Sequence, residues 1–472
     1  MSGGQIPWAW KQKIGWTKAE MGLTGGVRTF QQVLGFVYLI AFTSFGRQAP
    51  GLIGSHGILP FAAYLAALKT AMGGQAYREI PTVLWLRPTD AALAAVWMAG
   101  AAAALAAIFA PARGWWRRAA LAVCLVLWIS LCAVGQDFLS FQWDVLLSET
   151  GLLAIFADTS AVRIWLFRWL IFRLMFSSGL VKLTSGDPSW KSLTAMHYHF
   201  ETQPLPNPLA WLIYQQPMWV AKAETAFTLI AELVVPFLFF APRRARHVGG
   251  WIAIALQLLI LSSGNYTYFN FLTIALCLWL FLEPEKRQWG RPHKAVSASL
   301  AAFVGVASGL ILLEQFSLPL PPGGSAVVHL LEPLRVVNSY GLFAVMTTER
   351  PEIIVEGSAD GVNWRAYEFP YKPGDVMRAP PVIEPDQPRL DWQMWFAALD
   401  TYQSNRWFVD FMVRLLEGEP AVLRLLRYNP FPDKPPKYVR ARLFLYRFTN
   451  WHERGWWTRE ERGLYFPAAG LK

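Results

Sequence analysis

The chain has 472 residues, 54% of them hydrophobic and only 16% charged, with a mean hydropathy of +0.28. That balance is too apolar and too poor in charge for an ordinary soluble domain, and it excludes intrinsic disorder, collagen-like chains and disulfide scaffolds. Lys and Arg outnumber Asp and Glu by 43 to 32, a net charge of +11. Such a surplus suits nucleic-acid binding, or the cytoplasmic loops of a membrane protein, according to where it sits. The cysteines, Cys124, Cys132 and Cys277, lie in apolar runs without a CxxC pair, which argues against a disulfide framework, a thiol-redox motif and a cysteine-based zinc site.

Taken in chain order, the first 27 residues are basic and contain tryptophan, and the apolar run behind them is too long for the core of a signal peptide. Apolar stretches able to cross a hydrocarbon core then recur at roughly 28–46, 90–110, 119–135, 142–157, 164–182, 219–241, 248–264, 267–282 and 297–316, the fourth and eighth being short. The predicted class is a polytopic α-helical membrane bundle of about eight or nine spans over 28–316. Between the first two spans, the Gly- and Pro-punctuated segment 45–60 predicts a tight turn before a short hydrophobic helix near 60–71. With the N-terminus inside, the cytoplasmic connections hold fifteen Lys and Arg, and the alternate set (47–89, 136–141, 183–217 and 265–266) holds five. The positive-inside rule therefore puts residues 1–27 in the cytoplasm. The charge is explained by topology, and no nucleic-acid partner is expected.

Beyond about residue 317 the composition changes. A Pro/Gly-rich linker (317–336) leads into a segment (337–472) richer in charge, proline and tryptophan. Two β-prone runs flank Asp360-Gly361, a hairpin signal; 391–417 reads as one or two amphipathic helices; 438–448 alternates like a half-buried strand. An odd number of spans places this β-rich domain on the extracytoplasmic or luminal side.

Chemistry-bearing residues concentrate in the fifth span and in loop 183–217. Arg168, Arg173 and Lys182 lie in the span. Ionisable groups at membrane depth pair or face a cavity, so a polar pocket capped by the loop is one reading, and snorkelling of Arg168 and Lys182 to the two interfaces is the other. Asp144 and Glu149 in the fourth span, and Lys222, Glu224 and Glu232 in the sixth, complete a buried polar network with Arg173 and Lys182 in this reading, with bundle registration as the alternative. His197-Tyr-His199-Phe-Glu201 would place its ligand types on one face if extended. Without further ligands at metal spacing, polar residues of an ordered loop are the favoured reading, and no metal is expected. Asn265-Tyr-Thr267 fits a glycosylation acceptor. No P-loop, dinucleotide fingerprint, nucleophile elbow or HExxH occurs.

Several stretches together resemble the lipase maturation factor family. They are Phe45 to Pro60, including Arg47; Gln136 to Glu149; Arg173 to Leu183 and the following loop to Pro208, with Asp187, Trp190, Glu201 and Asn207; and Gly264 to Asn270. They continue with Val337 to Phe343, holding Asn338 and Tyr340; Arg350 to Ser358, holding Glu356; Tyr371 to Asp375; Pro388 to Phe396, holding Arg389, Asp391 and Trp392; Asn429 to Pro432; and Tyr438 to Ala441. The resemblance implies a multi-pass endoplasmic-reticulum protein that helps secreted lipases reach their active fold, with the outer domain holding the client and no cofactor. The few cysteines, the Ala-rich second span and the lack of a KDEL-type tail fit a bacterial version in the cytoplasmic membrane. The expected partners are a client lipase or other exported protein, and membrane lipid.

A dozen residues, Gly179 to Trp190, are similar to a segment of the vitamin K-dependent γ-carboxylases. That likeness implies the alternative of a membrane enzyme using Lys182 as base, near His197 and His199, in a pocket under loop 183–217.

Overall fold

The computed structural model describes residues 18–110 and 115–471, with side chains from residue 25 onward. Six of its helices are long and apolar enough to cross a membrane: the Gly25–Leu52 part of helix Lys18–Leu52, then Asp90–Phe109, Trp116–Val134, Ala161–Thr184, Arg243–Ser263 and Arg291–Gln315. The other three predicted spans form shorter helices, each for a visible reason. Gln142–Ile155 has 14 residues and buries ten of them, so it is an interior helix enclosed by its neighbours rather than by lipid. Met218–Leu233 stops short of Pro236, which has no N–H for the helical ladder, and a separate turn covers Val235–Leu238. Phe269–Cys277 gives way to a 3₁₀ turn at Leu278–Leu280. The short helix expected near 60–71 is Phe61–Met72.

Small residues set the spacing of the long helices. A Cβ at Gly100 would lie 2.3 Å from the ring of Phe42, and one at Gly46 would lie 2.3 Å from the Trp97 ring. Helices 18–52 and 90–109 therefore approach closely through Gly and Ala, as membrane helices do when packing rather than water exclusion holds them.

The C-terminal domain contains one antiparallel sheet in the order β2-β1-β3-β4: β1 Arg350–Ser358, β2 Trp364–Ala366, β3 Tyr438–Phe448 and β4 Trp457–Ala469. The expected hairpin closes with Ser358 opposite Trp364. Gly361 takes φ +79° in its turn, where a side chain would be strained. Asp360 fixes the turn, accepting the Val362 and Asn363 N–H groups at 2.9 and 2.8 Å, and these bonds hold its carboxyl well below the usual range. The strand expected at 438–448 is β3, central in the sheet. The region 391–417 forms two helices, Arg389–Ala398 and Arg406–Glu417. The second turns Trp407, Phe408, Phe411, Met412, Leu415 and Leu416 inward and ends at Gly418 with φ +69°. Within the predicted linker, Gly324–Leu331 is helical.

Candidate functional site

Three acidic side chains of the predicted network, Asp144, Glu149 and Glu232, meet basic partners in separate buried pairs rather than in one network. Asp144 lies in the first turn of helix 142–155, and its partner comes from the far end of the chain. Arg389 Nη1 and Nη2 each lie 2.9 Å from an Asp144 carboxylate oxygen, both residues being fully buried. Tyr268 donates its hydroxyl to the same carboxylate at 2.6 Å, and Arg389 Nη1 also reaches the Phe138 carbonyl at 2.6 Å. Both carboxylate oxygens and both terminal guanidinium nitrogens are thereby hydrogen-bonded, Arg389 Nε alone of the pair lacking a partner among the described residues, which offsets much of the penalty of burying the ion pair.

Glu149, five residues on, faces elsewhere. It pairs with Arg173 and accepts the Asn338 N–H at 3.0 Å and the Tyr340 hydroxyl at 2.8 Å. Arg173 returns a bond to the Asn338 carbonyl at 2.9 Å. The third pair is Lys182 with Glu232, 2.7 Å apart. Glu224 takes no basic partner among the described residues; it accepts from Gln216 Nε2 at 2.5 Å. Lys222 lies on an exposed face, and Arg168 is buried, donating to the carbonyls of Trp279 and Leu282. Arg168 therefore does not snorkel.

The remaining motif residues mostly tie the C-terminal domain to the helices. Arg47 meets Asp386 at 2.8 Å on the surface. Asp187 accepts the Ser189 and Met346 N–H groups at 2.8 and 2.6 Å, and Trp190 donates to the Phe343 carbonyl at 3.1 Å. Glu201 accepts the Phe448 N–H at 2.7 Å, while Asn207 caps the helix after it and donates to Ser262. Arg350 is fully buried and bonds the carbonyls of Glu201, Gln203 and Pro204. It also pairs with Glu352, which in turn holds Lys372, at 2.8 Å each. Asp391 accepts the Tyr371 and Lys372 N–H groups at 2.9 and 2.8 Å, although burial pushes its carboxyl up to about 6. Glu356 pairs with Arg440 within the sheet. Most of these groups are buried in the interface between the halves and are not available to a partner.

A cavity of about 740 Å³ opens where the helices, loop 183–217 and the C-terminal domain meet. Lys182, Glu232, Glu224 and His199 line it among aromatic side chains that include Trp143, Trp190, Phe269 and Trp392. Lys182 Nζ also donates to the carbonyls of Ser178 at 3.1 Å and Leu342 at 2.8 Å, and it lies 5.3 Å above the Trp190 ring. Lys182 is thus held by two backbone carbonyls and the Glu232 carboxylate.

The His197–Glu201 segment is not extended: Ala195–Thr202 is a helix, so His197 and His199 point apart. His197 stacks on Tyr214 and His199 on Tyr266. Gln203 Nε2 donates to the Phe200 and Ser263 carbonyls, which leaves its Oε1 to accept the Tyr266 hydroxyl at 3.0 Å. The His199 Nε2–H must then donate to the Tyr266 oxygen, 3.2 Å away, so that Nδ1 carries the lone pair. Burial, with Lys182 nearby, lowers this ring to about 4. Nδ1 has no partner among the described residues. Asn265 is also enclosed, donating to the carbonyls of Leu205, Pro206 and Pro381, which withdraws it as a glycosylation acceptor in the folded chain.

Sequence reasoning passed over Glu352, Lys372, Tyr266 and Glu384. Glu352 carried a signal as an acidic residue two positions from Arg350 on a β-strand, and Tyr266 and Lys372 lay within stretches that resemble the family.

Residues 27–287 match the lipase maturation factor transmembrane domain, and residues 336–467 match the lipase maturation factor C-terminal domain. Lipase maturation factor 2 of Gallus gallus is 34% identical, over 93% of this chain and 80% of the relative. The Homo sapiens lipase maturation factor 2 is 34% identical over 94% and 82%, and lipase maturation factor 1 of Bos taurus is 36% identical over 92% and 87%. No solved structure matches the chain. With both halves matched in order and relatives covered over most of their length, the chain belongs to the lipase maturation factor family.

Proposed function

We propose that this multi-pass membrane protein is a maturation factor for exported lipases or related exported proteins, and that its C-terminal domain handles the client outside the cytoplasm. The observation that carries the reading is the family match over both the helical half and the C-terminal domain. Basic residues concentrated on one side of the helices support a cytoplasmic N-terminus and an extracytoplasmic or luminal sheet. The membrane is that of the endoplasmic reticulum in a eukaryotic cell and the cytoplasmic membrane in a bacterium. Exposed Val345, Val382, Phe396 and Leu399 give the C-terminal domain apolar surface for a half-folded partner.

The test is the specific activity of the host's secreted lipases with and without this gene. Specific activity should collapse while lipase synthesis continues; unchanged specific activity overturns the reading. The γ-carboxylase-like alternative is not favoured, because the Lys182 side chain is tied into the fold by two backbone carbonyls and an ion pair with Glu232.

A further inference from the structure

The cavity beside Lys182 has the volume of a small-molecule site, about 740 Å³. Its wall is mainly aromatic and aliphatic. Its edge includes Phe227 and Leu259 on two helices of the membrane half, and Val345 and Phe396 on the C-terminal domain; all four are exposed. A mouth bordered by exposed apolar side chains at the top of a helical bundle admits a ligand from lipid more readily than from water.

The polar groups of the wall are lopsided. Lys182 contributes one positive charge, bonded to the Ser178 and Leu342 carbonyls and paired with Glu232. Against it stand the carboxyls of Glu232, Glu224 and Asp137. Glu232 Oε2 lies 2.7 Å from Lys182 Nζ as an ion pair but has no hydrogen-bond partner among the described residues, and Gln216 holds only Oε2 of Glu224, so both carboxyls keep capacity to accept. His199, more than nine-tenths buried, stands in the same wall with Nδ1 as an unfilled acceptor. The cavity therefore offers carboxyl acceptors beside two indole N–H donors, Trp143 Nε1 and Trp392 Nε1, that have no partner among the described residues, so a headgroup that both donates and accepts suits it, and an incoming anion would meet three carboxyls against one cation.

We propose that this cavity binds an acyl-chain amphiphile with an uncharged, hydroxyl-bearing headgroup, of the monoacylglycerol class. The chain lies against the aromatic wall, and the hydroxyls donate to the carboxyl oxygens and accept from the indole N–H groups. This goes beyond the maturation role and stands independently of it.

The experiment uses the full-length protein in lipid nanodiscs and a monoacylglycerol with a photoreactive diazirine in its acyl chain. Crosslinked residues are mapped by mass spectrometry, with monoolein, oleate and sphingosine as competitors. Labelling is expected at cavity residues such as Phe343 and Leu256. Monoolein should displace the probe at least tenfold better than oleate or sphingosine, and Thr228→Trp, which fills the space, should abolish labelling in a monodisperse protein. Labelling scattered over the lipid-facing helices overturns the site. Displacement by oleate or sphingosine as effective as that by monoolein overturns the headgroup. Both readouts come from the unmodified chain, so the test does not depend on the variant folding.

Discussion

Asp144 and Arg389 stand 245 positions apart in the chain, yet they form a fully buried two-point ion pair with both N–O distances at 2.9 Å. One belongs to an interior helix of the membrane half, the other opens the first long helix of the C-terminal domain. The two domains are joined through a charge that neither could bury alone.

Removing one partner should therefore cost far more than removing both. Arg389→Met leaves the Asp144 carboxylate buried and unpaired, and stability should fall by about 3–5 kcal/mol. The double variant Asp144→Leu with Arg389→Met should recover much of that loss. Thermal unfolding in detergent, followed by tryptophan fluorescence, measures both; a double variant no better than the single one would contradict the pairing.

Lys182 and Glu232 give a second comparison, this time against chemistry. Lys182→Met alone should lower folded yield by stranding Glu232, a cost of roughly 3 kcal/mol or more. Lys182→Met with Glu232→Gln should restore folding and most of the lipase-maturation output. If the double variant is folded but yields no active lipase, the amine has a chemical role after all.

Glu384 sets an expected pH dependence. Burial raises its carboxyl to about 8, against the Tyr266 N–H that pulls it down from 2.6 Å. The folded state keeps a proton that the unfolded chain releases, so this stability is complete below the ordinary carboxyl value and is lost as pH rises towards 8. Asp391, raised to about 6, acts in the same direction over a lower range. His199, lowered to about 4, acts in the opposite direction and has no further effect above its ordinary value of 6.5. Melting temperature should therefore still decline between about pH 6.5 and 8, and Glu384→Gln should flatten that decline.

Gly51 tests the docking of the first helix on the C-terminal domain. A Cβ there would sit 2.4 Å from the Ala421 carbonyl oxygen, a backbone atom that cannot turn aside. Gly51→Ala should cost about 1–3 kcal/mol by overpacking, whereas Gly305→Ala, with open space around it, should be neutral. Equal melting temperatures for the two variants would count against this contact.

Local pattern determined much of this protein. Apolar run length marked the membrane helices, because crossing hydrocarbon needs a fixed length of apolar helix. The hairpin at Asp360-Gly361 and strand 438–448 followed from turn chemistry and alternation. The motif residues pointed to the family. Tertiary structure decided the rest. Three of the predicted spans became short helices, because hydropathy alone cannot separate a helix facing lipid from one enclosed by protein. Period-two reasoning about His197 and His199 failed because the segment is helical. Above all, a buried charge declares its need for a partner but not the partner's position. Sequence reasoning sought one for Asp144 in the neighbouring span, and the fold supplied Arg389 from the other domain.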